Sequence, residues 1–167
     1  MNDVAALFRR LTLGVYVVGV AHEQRRAAFT AAWIMPAAYD PPMLALSINP
    51  ANACHPLLLA GGRFAVSVLG QQQIELARQF GTRSSRDVDK LEGIAWHAAA
   101  GGAPVLDAAL AYLECELADH WPIADRDLVS ARVTGGRVLE AAATPLRYAD
   151  TGALDASDAL FPAALRP

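Results

Sequence analysis

The sequence predicts a mainly β protein, an antiparallel barrel with a few short helices as excursions. Short runs rich in Val, Ile, Phe and Tyr recur along the 167 residues, separated by Gly, Pro, Asn and charged clusters. Helical spacing is confined to three brief segments, which makes helices the minor component. No internal repeat and no linker splits the chain, and its length favours one domain able to bury roughly 70% of its unfolded surface.

The elements follow in order. Asn2 or Asp3 is placed to cap a short helix through "VAALFRRL", whose Val4, Leu7, Phe8 and Leu11 follow helical spacing up to Gly14. "VYVVGVAH" reads as a strand buried on two faces, "EQRR" as a polar turn, and "AAFTAAWI" as the returning strand. Tyr39-Asp40-Pro41-Pro42 imposes an extended entry into the strand "MLALSI", since a residue before proline is pushed out of the α region. Asn52 is expected to cap a helix with Pro56 in its first turn and Gly61 or Gly62 at its end. "RFAVSVLG" is a strand, "QQQIELARQFG" a helix closed by Gly81, and "TRSSRDVDKLEG" a polar loop with the densest charge in the chain. In "LAYLECEL", Leu113, Cys115 and Leu117 alternate with Tyr112, Glu114 and Glu116. "DLVSARV", Gly135-Gly136 and "RVLEA" are expected to form a final hairpin. Residues 1–150 make the domain. The tail 151–167, rich in Ala, Asp and Pro, is expected to be poorly ordered or draped on a partner.

Composition bounds the function. Hydrophobic residues make up 54% of the chain, above the roughly 45–50% of ordinary soluble domains. Much of the excess is alanine, and the surplus points to a second buried surface such as a homodimer interface. A net charge of -3 with no basic run argues against a nucleic-acid partner. The apolar stretches are interrupted short of the roughly 20 residues of a membrane span, and "MNDVAALFRR" lacks the pattern of a signal peptide. The expectation is a soluble, cytoplasmic protein with no membrane partner.

Standard catalytic signatures are missing: no G-x-G-x-x-G or P-loop, no G-x-S-x-G elbow, no H-E-x-x-H. No metal site is expected. His22, His55, His97 and His120 are scattered, and the neighbours Asp119 and His120 face opposite ways if they lie on a strand. Cys54 and Cys115 make no C-x-x-C pair and read as buried structural thiols.

Two stretches suggest a ligand. "FTAAWI" sets small side chains beside backbone amides, a surface on which a planar polar ring can rest if the chain bends there. "SINPANACHP" places Ser47, Asn49 and Asn52 near a helix start, where free amides and the helix dipole suit a phosphate. The residues alone allow a second reading, a buried strand followed by a capped turn with no ligand.

The run from Thr12 to about Leu139 resembles the flavin reductase-like, FMN-binding split-barrel family. The resemblance rests on "TLGVYVVGV", "AAFTAAWIMPAAYDPPMLALSI", "CHPLLLAGGRFAVSVLG", "QQQIELARQFG", "DKLEG" and "PVLDAALAYLECEL" occurring in the family's order. It implies a dimeric, six-stranded Greek-key split barrel holding FMN, or FAD, near the interface, with NADH or NADPH as co-substrate. Carried over by that resemblance, Thr30, Ala31, Ala32 and Trp33 face the isoalloxazine, and Ser47, Ile48 and Asn49 flank the ribityl chain. Asn52, Cys54 and His55 meet the phosphate, while Phe80, Gly81, Arg83, Asp89 and Lys90 lie near the flavin or the nicotinamide. Many family members carry Gly-Asp-His where this chain has Ala124-Asp125-Arg126, which puts Arg126 on the nicotinamide side. The phosphate turn "NACH" also lacks the family's Ser/Thr-Arg cluster. The implied activity is hydride transfer from a nicotinamide to flavin N5, with no side-chain acid or base, supplying electrons to an oxygenase or another acceptor. The alternatives are an FMN-binding carrier or sensor without turnover, and a haem-binding or ligand-free barrel.

Overall fold

The structure, a computed structural model, describes residues 4–165. The helix α1 (Val4–Phe8) leads into β1 (Tyr16–His22), whose apolar residues are buried on both faces as their unbroken run predicts. β2 (Arg25–Ala31), β3 (Ile34–Tyr39) and β4 (Pro42–Ile48) follow, then α2 (His55–Gly61), β5 (Arg63–Val68) and α3 (Ile74–Gly81). A small hairpin of β6 (Trp96–Ala98) and β7 (Pro104–Leu106) precedes two long strands, β8 (Ala111–Ile123) and β9 (Arg126–Val138). The expected Asn2 or Asp3 cap lies outside the described residues.

The main sheet runs β2-β1-β5-β8-β9-β4-β3, with every neighbouring pair antiparallel. It curls around one core made of Val18 and Val20 of β1, Phe29, Leu46, Ile48, Phe64, Val66 and Val129, closed at one end by Leu57 and Leu58 of α2. Inward Cys115 is buried, with Leu113 and Leu117 packed on the same core, as the alternation in "LAYLECEL" predicts. The outer face of β1 carries a second core, in which Val15 and Val17 meet Ala77 and Phe80 of α3 and Leu106 of β7. β2 and β3 are consecutive in the chain yet stand at opposite edges of the sheet. The barrel is therefore split between them, at Ala32-Trp33.

Three expectations are corrected. The main sheet has seven strands among the described residues, one more than six, because Ile34–Tyr39 pairs with β4 as a strand of its own. Gly135-Gly136 is no turn: both lie inside β9, opposite Glu114 and Leu113, and the hairpin bends at Ala124-Asp125 instead. Gly136 is needed there because its φ is 146° and a Cβ would strike the Tyr112 carbonyl. Helix α2 is capped by Cys54 without a side-chain bond, while Asn52 acts earlier, its Oδ1 accepting from the Cys54 N–H at 2.9 Å. Short 3-10 turns at Tyr148–Thr151, Ser157–Leu160 and Ala163–Leu165 run through the tail.

Gly19 sits mid-strand in β1 because the Pro104 backbone of β7 presses on it, leaving no room for a Cβ. Gly19→Val is expected to destabilise the fold by about 1–3 kcal/mol or more, as overpacking does, read as a lower urea midpoint. A Gly62→Ala control meets no neighbour and pays only for its positive φ of 65°.

Candidate functional site: a cleft at the split of the barrel

The two edges of the split frame an elongated cleft. Its first part, of about 170 Å³, is walled by Thr30, Ala31, Ala32 and Trp33 at the β2–β3 break and by Ser47, Ile48 and Asn49 at the end of β4. Local chemistry explains the bare ledge. Strand β2 ends at Ala31 and β3 begins at Ile34, so Ala32 and Trp33 lie outside both strands, with the Trp33 carbonyl accepting from the Ser47 N–H at 3.0 Å. Thr30 Oγ1 donates to the Ala77 carbonyl of α3 at 2.7 Å, pinning the ledge to the helix behind it. Gly81 at the end of α3 comes so close to Thr30 that a Cβ would have to push it aside.

The second part, of about 350 Å³, continues from Thr30 and Asn49 to the turn Ala51–Ala53 and the loop 80–90, including Phe80, Gly81, Arg83, Ser84, Ser85, Arg86 and Lys90. Two Asn side chains fold the turn: Asn49 Oδ1 accepts from the Ala51 N–H, and Asn52 Oδ1 from that of Cys54. Arg86 Nη2 donates to the Ala51 carbonyl at 3.0 Å, tying loop to turn. Lys90 is only 6% exposed, and its Nζ donates to the Phe80 carbonyl at 2.8 Å. Burial holds the Lys90 ammonium below the usual lysine range. The Cys54 thiol is pushed up by burial, against a weaker opposing pull from the Ser85 contact and the Lys90 charge, so it is no nucleophile.

The structure thus gathers most of the residues singled out from the sequence. Thr30, Ala31, Ala32, Trp33, Ser47, Ile48, Asn49 and Asn52 line the narrow part, and Phe80, Gly81, Arg83 and Lys90 the wider part. Arg126 reaches the narrow part from the β8–β9 hairpin, its guanidinium 5.1 Å from the Trp33 ring centroid. Cys54, His55 and Asp89 are set back from the cleft. Cys54 is fully buried, Asp89 Oδ1 accepts from the Leu91 N–H, and His55 turns away to bond Asp127.

Sequence reasoning missed three sets. Ser84, Ser85 and Arg86 stand beside Arg83 in "TRSSR", and that run of hydroxyls and charge was the available signal. The tail residues Tyr148, Asp155 and Ser157 line the narrow part, and nothing in their composition announces it. Asp127, 4% exposed, bonds His55 Nε2 at 2.7 Å and His120 Nδ1 at 3.0 Å, bringing together two histidines 65 positions apart. Burial opposes ionisation of this carboxyl, but the hydrogen bonds and charges of the two histidines together outweigh it and hold it below the usual range. Among the described residues no helix is long and apolar enough to cross a membrane.

Known proteins resemble this chain in sequence and fold. Residues 8–156 match the profile of the flavin reductase like domain. A high molecular weight rubredoxin of Moorella thermoacetica is 35% identical over 149 residues, covering 88% of this chain and 64% of that protein. Diflavin flavoprotein A 1 of Synechocystis sp. is 32% identical over 142 residues, covering 84% of this chain and 25% of that one. The chain therefore spans only a quarter to two-thirds of the length of these relatives. Among solved structures, the NADH:FAD oxidoreductase SgcE6 of Streptomyces globisporus C-1027 superposes with a TM-score of 0.79 at 26% identity, covering 85% of this chain and 84% of that one. A split barrel with a ledge at the split, matched along nearly its whole length, places the chain in the flavin reductase like domain family.

Proposed function

We propose that the cleft binds FMN and that the chain is an NAD(P)H-dependent flavin oxidoreductase. The observation that carries this reading is the cleft's polarity. A ledge of small side chains and backbone at Thr30–Trp33 opens into a pocket with Arg83, Arg86 and Lys90 at the other end. These residues suit the group: the ledge accepts a flat ring closely, and hydroxyls, Asn amides and guanidinium groups supply donors for one phosphate. When bound, a flavin supplies the redox chemistry, accepting hydride from a nicotinamide at its N5. The chain's share is to hold the ring on the ledge, exclude water with Phe29, Ile48 and Trp33, and place Arg126 at the rim. No acid or base is needed in that account, consistent with the inert Cys54 and the turned-away His55.

A visible spectrum of the purified protein, followed by stopped-flow mixing with NADH or NADPH, tests the proposal. Flavin bands that bleach within seconds are expected. Flavin bands with no bleaching by either donor would replace the reductase by an electron carrier, a reading that Arg126 stacked on Trp33 favours, since it occupies the rim where a nicotinamide would approach. Replacing Ala32 by tryptophan is expected to abolish flavin occupancy in a folded protein. Full occupancy would remove the ledge from the site.

Two partners belong to this reading. An apolar groove of about 280 Å³, lined by Phe8, Leu11, Leu13, Trp33, Ile34, Met35, Ala45, Ser47 and Leu128, adjoins the ring end. We assign a second copy of the chain to it, because it shares Trp33 and Ser47 with the cleft and answers the 54% hydrophobic content. Sedimentation should then report a dimer. Electrons leave to an acceptor such as an oxygenase component; transfer to another redox module is supported by relatives in which this domain is part of a longer flavoprotein or rubredoxin chain.

A further inference from the structure

The narrow part of the cleft has a wall on its open side that comes from the end of the chain. Tyr148, Asp155, Ser157 and Leu160 face the ledge, and the Leu154 side chain lies beside Gly81 at the far end of it. The segment holds its own shape. Tyr148 Oη bonds Asp155 Oδ2 at 2.9 Å and Ser157 Oγ at 2.7 Å, and Asp155 Oδ1 accepts from the Ser157 N–H at 3.0 Å. Its root is tied to the barrel, the Tyr148 N–H donating to the Leu13 carbonyl at 2.8 Å.

Beyond the cleft the segment meets the end of α1 and the residue after it. Arg9 Nη2 donates to Asp158 Oδ2 at 2.8 Å, and Phe8 meets Phe161 edge-on with centroids 5.5 Å apart. Phe8 in turn packs edge-on against Trp33 of the ledge, at 6.1 Å. The ion pair is about one-third exposed on each side and screened by water. The segment thus folds on itself between its root on the barrel and an exposed ion pair near its tip.

We propose that residues 148–161 are a displaceable cover over the ring end of the cleft, latched at the end of α1 by Arg9–Asp158 and Phe8–Phe161. This rests on the flavin reading of the cleft. The space on the ledge beside the cover is about 170 Å³, one part of the longer cleft. A ring lying on the ledge fills it, and a second ring or an acceptor enters only when the cover lifts. While the cover is down, Tyr148, Asp155 and Ser157 line the ring end of the cleft. The latch sets how long the ring stays.

The test uses full-length Asp158→Asn and Phe161→Ala, singly and combined, with dissociation of FMN and of riboflavin followed by recovery of flavin fluorescence. Because the latch acts on the ring, both flavins should leave faster by a similar factor. That factor is about two- to five-fold for Asp158→Asn, the range of an exposed ion pair, and larger for the double variant. Thermal melting of Asp158→Asn should stay near the wild type, and this single variant decides the matter if the double variant fails to fold. Unchanged off-rates for both flavins in a folded variant would overturn the cover and leave the flavin site standing. A change for FMN alone would also overturn it, by moving the effect to the phosphate end. Failure of the wild type to bind either flavin would overturn the cleft assignment and the cover together.

Discussion

Replacing Arg83 and Arg86 together by alanine is expected to weaken FMN binding by about a hundred-fold or more while leaving riboflavin binding nearly unchanged. Both guanidinium groups line the wide part of the cleft, so in the proposed binding mode they meet the phosphate and not the ring. A hydrogen bond to a charged group is worth about 1.5–3 kcal/mol, and each 1.4 kcal/mol is about tenfold in affinity. Arg86 also secures the turn through the Ala51 carbonyl, so its loss loosens Asn52 as well. Fluorescence titration with the two flavins checks this. Parallel weakening of both would place the phosphate elsewhere. The wild-type preference for FMN should also shrink with added salt, as an exposed charge contact does.

Asp127→Ala is the second substitution with a large expected effect, and it acts on stability. The carboxylate is nearly buried at the mouth of the barrel, opposite Ile48 of β4 and Pro122 of β8, and accepts from His55 of α2 and His120 of β8. Removing it strips two imidazoles of their acceptor, at a cost of about 1–3 kcal/mol for each group left unsatisfied, less for the half-exposed His120. The loss also frees the start of α2 and, with it, the Asn52 turn. The pH dependence has a definite sign. The folded-state pKa of Asp127 lies below its unfolded value, so its contribution is fully present above the unfolded value of about 3.9. It is lost as pH falls through the folded value. Urea midpoints should therefore show a large gap between wild type and Asp127→Asn at pH 7 that narrows below pH 4. A gap that widens in acid would refute the assignment.

How much of this was legible follows from the range of each interaction. Strand β1 and the alternation in "LAYLECEL" are local patterns, and a single chain displays them. The ledge at Thr30–Trp33 was visible as a run of small residues, although the reason it stays open, the split between β2 and β3, is a matter of sheet order. Gly135-Gly136 misled because a glycine pair normally signals a turn. Here the second glycine serves a close approach to Tyr112 within a continuous strand. Asp127 could not be found, because its histidines meet only when α2 and β8 close the barrel mouth. The tail's place against the cleft depends on contacts with α1, which lies at the other end of the sequence.

The edge strand β3 has a consequence for behaviour in concentrated solution. It carries Pro36, which offers no N–H, and its pairing with β4 slips between Pro36 and Ala38. The opposite edge, β2, opens with Arg25 and Arg26. A proline, an irregular register and paired charges are what prevent a sheet from extending itself through a neighbouring molecule's backbone. Both edges are thereby guarded against pairing with a neighbouring molecule's strand and growing into cross-β fibrils.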